Sequence, residues 1–180
     1  KKFTHFEEIF VVLPKAQFNY WNKLCKDTNF IQKHTLVSGG ENRFQSVKNG
    51  LQKIDKEVIV AIHDGVRPLI SKGLIDSLVN LTKKGVGVIP IVPIKDSIRR
   101  AKGKDSKYID RNHLYQVQTP QCFISTDIKD AYEQEFLEHF TDDASILESA
   151  GDKIITILGE IKNLKITTEE DLKIAEVFIQ

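Results

Sequence analysis

The sequence predicts an α/β fold: a mostly parallel sheet covered by helices on both faces, from which one β-arm projects. Three observations carry that reading. Short β-rich runs alternate with segments of helical period along nearly the whole chain. The strand runs are continuously apolar, as strands buried on both faces must be. One strongly polar segment, Asp96 to Asp110, breaks the rhythm.

"IFVVLP" (Ile9 to Pro14) reads as the first buried strand, and Tyr20 to Lys26 as a helix or part of one. "HTLVSGG" is a strand running into two glycines. In "ENRFQSVKNGL", Phe44, Val47 and Leu51 share one helical face. "EVIVAIH" is the next strand, Leu74, Leu78 and Leu81 line the next helix, and "VGVIPIVP" is a fourth strand. Crossovers between such strands are expected to be right-handed.

"DSIRRAKGKDSKYID" then places a Gly-Lys-Asp tip between two alternating arms, the pattern of a hairpin projecting from the body. An isolated two-stranded ribbon is marginal, so a partner subunit is expected to supply the missing packing. The alternative is a mobile surface loop. After the arm come "LYQVQTP", a helix from about Thr126 to Glu138, and "TDDASILESAG", with acids at a helix start and Gly151 at its end. The chain closes with strand "KIITIL" and a last helix for which Thr167 and Glu170 are expected to form the capping box.

Composition narrows the function classes. At 180 residues the chain is long enough for one domain with a sizeable core. Its net charge of +1, from 26 basic and 25 acidic residues, gives no strong global field for nucleic acid or an anionic membrane. The longest apolar runs are about half of what a bilayer span needs, and no signal-peptide pattern opens the chain. Cys25 and Cys122 lack metal-type spacing, and reduced thiols in a cytoplasmic protein are the simplest reading. There is no Ser elbow, no paired-His metal motif and no G-x-G-x-x-G, which argues against acyl transfer, zinc hydrolysis and dinucleotide redox chemistry.

In an open parallel sheet, ligands bind beyond the carboxyl ends of the strands. Four polar groups are assigned to such ends: "SGGENR" (38–43), "HDGVR" (63–67), "VPIKDS" (92–97) and "NLKIT" (163–167). The two glycines let a ligand approach the backbone, and the helix start after them favours anions. Ser46 is either a ligand contact or an ordinary first-turn residue. Asp64 is a natural hard-oxygen ligand for Mg²⁺ and Arg67 a bidentate phosphate binder; the alternative is a salt bridge or a turn aspartate. His63 reads as a hydrogen-bonded neighbour rather than a base. Lys165 ends an apolar strand, or else snorkels at the surface. Arg111 ends the arm, and Asp142 and Asp143 are read as acids favoured by the helix dipole.

In order, "GGENRFQSVKNGL", "HDGVRPLI", "VPIKDSIRR", "DRNHLYQVQTPQCF", "TDDASILE" and "NLKITTEEDLKIAE" resemble the 2-C-methyl-D-erythritol 4-phosphate cytidylyltransferases. The resemblance runs from Ile9 onward. Ribitol-5-phosphate cytidylyltransferases look similar around "RP" and "QTPQ", but "TDDAS" and the "DR" at the arm end favour the erythritol family. The resemblance implies a Rossmann-like domain that moves CMP from CTP to a polyol phosphate, with Mg²⁺, in isoprenoid precursor synthesis. The family's metal-binding aspartate falls on Asp64, and its cytidine contacts on Gly40, Glu41, Ser46 and Gly65. Residues that place the acceptor phosphate fall on Arg111 and Lys165, with Arg67, Ser97 and Thr119 at further substrate positions. Ser97 stands where threonine is common in the family, and Gly65 where alanine is. The arm implies a homodimer in which Arg111 enters the neighbour's site.

One departure bears on the domain organisation. Family members open with a strand, a glycine-rich basic loop and a Pro-Lys pair that this sequence starts beyond; the "LPK" at 13–15 closes the next strand. The sequence contains no methionine and begins Lys-Lys. The expectation is a single domain, 1–180, whose opening segment lies outside the sequence. A non-catalytic nucleotide-binding module is the competing reading.

Overall fold

The computed structural model describes residues 6–179. Each apolar run of the sequence becomes a strand. In chain order the elements are β1 (Phe10–Leu13), α1 (Phe18–Asp27), β2 (Thr35–Ser38), α2 (Arg43–Leu51), β3 (Ile59–Ile62), α3 (Lys72–Leu81) and β4 (Val86–Pro93). The arm follows as β5 (Ile98–Lys102) and β6 (Asp105–Ile109), then β7 (Tyr115–Val117), β8 (Gln121–Ile124), α4 (Ser125–Ala131), α5 (Asp143–Ser149), β9 (Lys153–Leu158) and α6 (Glu169–Val177).

β1 and β2 pair in parallel, and so do β4 and β9. β8 lies between β3 and β4 and runs against both, so β3, β4 and β9 share one direction. β7 also pairs antiparallel with β4, further along the side that β8 takes, while β9 holds the opposite side. The arm strands pair only with each other among the described residues.

Alternation along the strands shows how the sheet is covered. Successive residues of a strand point to opposite faces. Phe123 of β8 packs with Phe44, Leu51, Tyr132, Ile146 and Leu147, so α2, α4 and α5 cover one face. Its neighbour Cys122 packs with Ile70, Leu74, Ile75 and Leu78, so α3 covers the other. β3 repeats the division, Val60 and Ile62 facing the first group and Ile59 and Ala61 the second. Burial pushes the Cys122 thiol up to about 12, which keeps it protonated and inert.

Two sequence expectations are corrected. The helix expected from about Thr126 to Glu138 ends at Ala131. Tyr132 is locked into the core, its ring against Phe44 and its hydroxyl on Asp143. The chain then bends to lay Phe136 and Phe140 against the same Phe44, which a continued helix would carry away. The last capping box forms one residue later than expected. Thr168 accepts from the Asp171 amide, and the Asp171 carboxylate accepts from the Thr168 amide. An aspartate reaches back over one turn as the expected Glu170 would, so the two registers are chemically close in sequence.

Candidate functional site

β3 ends at Ile62 and delivers a tight turn, in which the Arg67 amide donates to the Asp64 carbonyl at 3.0 Å. Three contacts fix that turn. The Asp64 amide donates to Thr119 Oγ1 at 2.9 Å, Thr119 Oγ1 meets His63 Nδ1 at 3.0 Å, and His63 Nε2 meets the Arg67 carbonyl at 3.0 Å. Burial holds the His63 pKa below its usual value, so the ring is neutral near pH 7. A carbonyl only accepts, so Nε2 carries the hydrogen and Nδ1 accepts from the Thr119 hydroxyl. His63 is thus a strut, as the sequence reading held.

The Asp64 carboxylate faces a cleft of about 260 Å³, lined also by Arg43, Arg67, Thr119, Asp142 and Lys165. Arg67 Nε and Lys165 Nζ both approach Asp64 Oδ2 at 3.3 Å. Burial works against ionisation of this carboxyl, but the charges of Lys165, Arg43 and Arg67 outweigh it and hold the pKa below the ordinary range. Asp64 is therefore an ionised hard oxygen at the working pH. Among the described residues no cluster of three or more His, Cys, Asp or Glu gathers around a metal-sized space. One carboxylate nonetheless suits Mg²⁺, which takes one or two protein carboxylates and fills the rest of its shell with water and phosphate oxygens.

Lys165 corrects one expectation. It does not end a strand, since β9 stops at Leu158 and residues 163–167 form an irregular loop. The loop is pinned instead by hydrogen bonds: the Ile166 amide donates to the Val66 carbonyl at 2.8 Å, and Arg67 Nη1 donates to the Asn163 carbonyl at 2.9 Å. An apolar-polar-apolar run beside a helix start mimics a strand end in sequence, but among the described residues no strand pairs with it.

The structure also brings in residues that the sequence reading did not assign to the site. Arg43, first residue of α2, donates from both terminal nitrogens to Asp143, at 2.9 and 2.6 Å. Asp143 is fully buried and accepts from the Tyr132 hydroxyl as well. It is thus more than a helix-start acid favoured by a dipole. Asp142 is that cap, accepting from the Ser145 amide at 2.9 Å, and its second oxygen takes the Gln121 side-chain amide at 2.8 Å. Burial disfavours the Arg43 charge, but Asp143 more than restores it, so the guanidinium stays ionised at the cleft wall. The "ENR" and "TDD" signals were visible in sequence; their pairing across 100 residues was not.

Of the expected site residues, Asp64, Arg67, Thr119 and Lys165 meet in this cleft. Gly40, Glu41 and Ser46 stand on the neighbouring β2–α2 turn, where the Gly40 amide donates to Ser46 Oγ at 3.0 Å and Ser46 Oγ donates to the Asn42 carbonyl at 2.8 Å. A Cβ at Gly40 would lie 2.1 Å from Gln45 Cγ, so the turn closes this tightly only around glycine. At Gly65 a Cβ would meet nothing, which leaves room for alanine. Ser97 and Arg111 sit exposed at the two ends of the arm and do not line the cleft.

Helices on both faces of the sheet and a charged cleft beyond the end of β3 define a Rossmann-like α/β protein. The chain belongs to the 2-C-methyl-D-erythritol 4-phosphate cytidylyltransferase (IspD) family, whose sequence model matches residues 1–180. It is 44% identical over 174 residues to the 2-C-methyl-D-erythritol 4-phosphate cytidylyltransferase of Azobacteroides pseudotrichonymphae, covering 95% of this chain and 78% of that protein. It is 42% identical to that of Phocaeicola vulgatus, at the same coverage of both. The crystal structure of 4-diphosphocytidyl-2C-methyl-D-erythritol synthase from Anaerococcus prevotii superposes with a TM-score of 0.81 at 29% identity, covering 98% of this chain and 80% of that one.

Proposed function

We propose that this protein transfers the cytidylyl group of CTP to 2-C-methyl-D-erythritol 4-phosphate, releasing pyrophosphate, in isoprenoid precursor synthesis. Family membership and the names of its relatives support the reaction. The observation that carries the reading is the ionised Asp64, held on one oxygen by both Arg67 and Lys165.

An oxygen of the acceptor phosphate attacks the α-phosphorus of CTP, and the bond from that phosphorus to the pyrophosphate oxygen breaks. The attacking oxygen is already anionic, so no base has to remove a proton. Catalysis is then positioning and charge neutralisation. Asp64 would hold Mg²⁺, which when bound neutralises charge on the triphosphate. Arg67 and Lys165 keep the carboxylate neutralised in the resting cleft. A phosphorylated acceptor offers them a second anion, and Lys165, with half of its side chain exposed, is free to turn toward it. Thr119 holds the backbone under Asp64. Gly40, Glu41, Ser46 and Gly65 take the nucleotide, and Ser97 lies on the acceptor side.

The arm supports a homodimer in which Arg111 reaches the neighbour's cleft, since β5 and β6 have no further strand to pair with among the described residues. Mixing Arg111→Ala and Lys165→Ala subunits is expected to restore part of the lost activity, because one site of a mixed dimer keeps both residues. Among the described residues no helix is long and apolar enough to cross a membrane. A cytoplasmic location is part of the proposal and follows the family reading.

Pyrophosphate release measured with CTP and each of two acceptors tests the reaction. Turnover with methylerythritol phosphate is expected. Turnover with ribitol 5-phosphate alone would move the protein to that activity, and CTP binding without turnover on either would make it a binding module.

A further inference from the structure

Asn163 is fully buried, and it ties its own loop to two other segments of the cleft, one at Gln118 and Thr119 and one at Arg67. Its side-chain Nδ2 donates to the Thr119 carbonyl at 2.9 Å and lies 3.4 Å from Gln118 Oε1. Its main-chain carbonyl accepts from Arg67 Nη1 at 2.9 Å and from Gln118 Nε2 at 3.2 Å. Gln118 completes the clasp by donating to the Glu160 carbonyl at 2.8 Å and accepting from the Glu160 amide at 3.2 Å. These partners set the direction of both amides: carbonyl oxygens cannot donate, so Nδ2 of Asn163 and Nε2 of Gln118 must face them.

The clasp leaves one polar atom over. Asn163 Oδ1 is buried without a hydrogen-bond partner among the described residues. A leucine or valine would avoid that orphan, whereas a residue kept in spite of it is there for what its other atoms do. Here the side-chain Nδ2 ties the loop that carries Lys165 to Thr119, and so holds in place the main-chain carbonyl of residue 163 that Arg67 uses. Among the described residues the loop has no strand partner of its own. Lys165, two residues beyond the clasp, sits 3.3 Å from Asp64.

We propose that Asn163 is a positioning residue for the acceptor side of the cleft. Its amide and carbonyl set the Lys165 loop and the Arg67 guanidinium at the spacing one acceptor phosphate requires. It touches no reacting atom. This rests on the reading that Arg67 and Lys165 receive the acceptor phosphate. Losing the side-chain clasp lets the loop drift, and the main-chain carbonyl that Arg67 uses moves with it. The fault then falls on the acceptor and not on the nucleotide, whose expected contacts, Gly65 apart, lie on the β2–α2 turn and the start of α2.

The test is steady-state pyrophosphate release by the full chain, varying CTP and methylerythritol phosphate separately. Asn163→Ala is expected to lower kcat/KM for the acceptor by about 100-fold, the cost of misplacing a reactant by about 1 Å, with the KM for CTP nearly unchanged. Should Asn163→Ala fail to yield folded protein, Asn163→Ser carries the same expectation. A double-mutant cycle separates positioning from general loosening. Introduced into Lys165→Ala, the Asn163 substitution is expected to add little further loss, because the group it positions is gone. A full additional loss in that background, or equal damage to CTP and acceptor dependence, overturns the proposal. Arg67→Ala and Lys165→Ala alone test the underlying reading. If neither disturbs acceptor dependence, the acceptor site lies elsewhere, whatever Asn163 does.

Discussion

The β2–α2 turn and the Asp64 cleft lie side by side and are built in opposite ways. The turn holds itself by contacts three, four and six residues apart: Gln45 amide to Asn42, Ser46 to Asn42, Gly40 amide to Ser46. The cleft is held by contacts 44, 55 and 96 residues apart: Asn163 to Thr119, Asp64 to Thr119, Arg67 to Asn163. A site built locally depends on one short segment being intact. A site built at long range depends on the whole sheet and fails together when a shared partner is lost. The two halves should therefore respond differently to substitution.

The largest effect is expected at the centre of the long-range half. Asp64→Asn removes the one ionised oxygen shared by both cations and suited to Mg²⁺, and pyrophosphate release should fall about a thousandfold, the scale of several kcal/mol of lost charge stabilisation. Raising Mg²⁺ should recover little of it, and circular dichroism should show an unchanged fold. Normal turnover at low Mg²⁺ would remove Asp64 from the metal role.

The next effect is on stability. Asp143→Asn removes the charge that pairs with the Arg43 guanidinium; because the Arg43 side chain is 40% exposed, water offsets part of the loss, and a cost of about 2 kcal/mol is expected, below that of a fully buried pair. Urea unfolding should show a correspondingly lower midpoint at an unchanged slope. Because Arg43 opens α2, the KM for CTP should rise in the same variant. A midpoint within error of the parent would mean that the pair, for all its geometry, contributes nothing net.

The smallest effect belongs to the local half. Ser46→Ala removes one hydrogen bond to the Gly40 amide, worth about 1 kcal/mol, so the KM for CTP should rise about fivefold with acceptor dependence intact. Damage to both substrates would show that the two halves are not separate.

The same contrast explains what the sequence made legible. Strands followed from apolar runs such as "EVIVAIH" and "VGVIPIVP", and helices from spacings such as Phe44, Val47 and Leu51; β8, which carries Cys122 and Phe123 between β3 and β4, was not among the runs read as strands. The glycine turn was legible because all its partners lie within one quoted segment. Asp64 and Arg67 were legible as a pair three residues apart. Arg43 with Asp143 was not, because nothing in "ENR" or "TDD" says that the two helix starts face each other. Asn163 was hidden for the same reason, and Lys165 was placed on a strand because "LKI" has a strand's pattern without a strand's partner. The end of α4 at Ala131 was set by where Tyr132 packs, a tertiary demand that no local propensity reports.

The central claim is that Lys165 and Arg67, resting on Asp64, receive the acceptor phosphate. Pyrophosphate release by Lys165→Ala, with CTP and methylerythritol phosphate varied in turn, tests it most directly. The account predicts kcat/KM for the acceptor down by about 100-fold, in line with loss of one positioned charge, and a KM for CTP close to the parent's. An acceptor dependence like the parent's, or a defect confined to CTP, would contradict it.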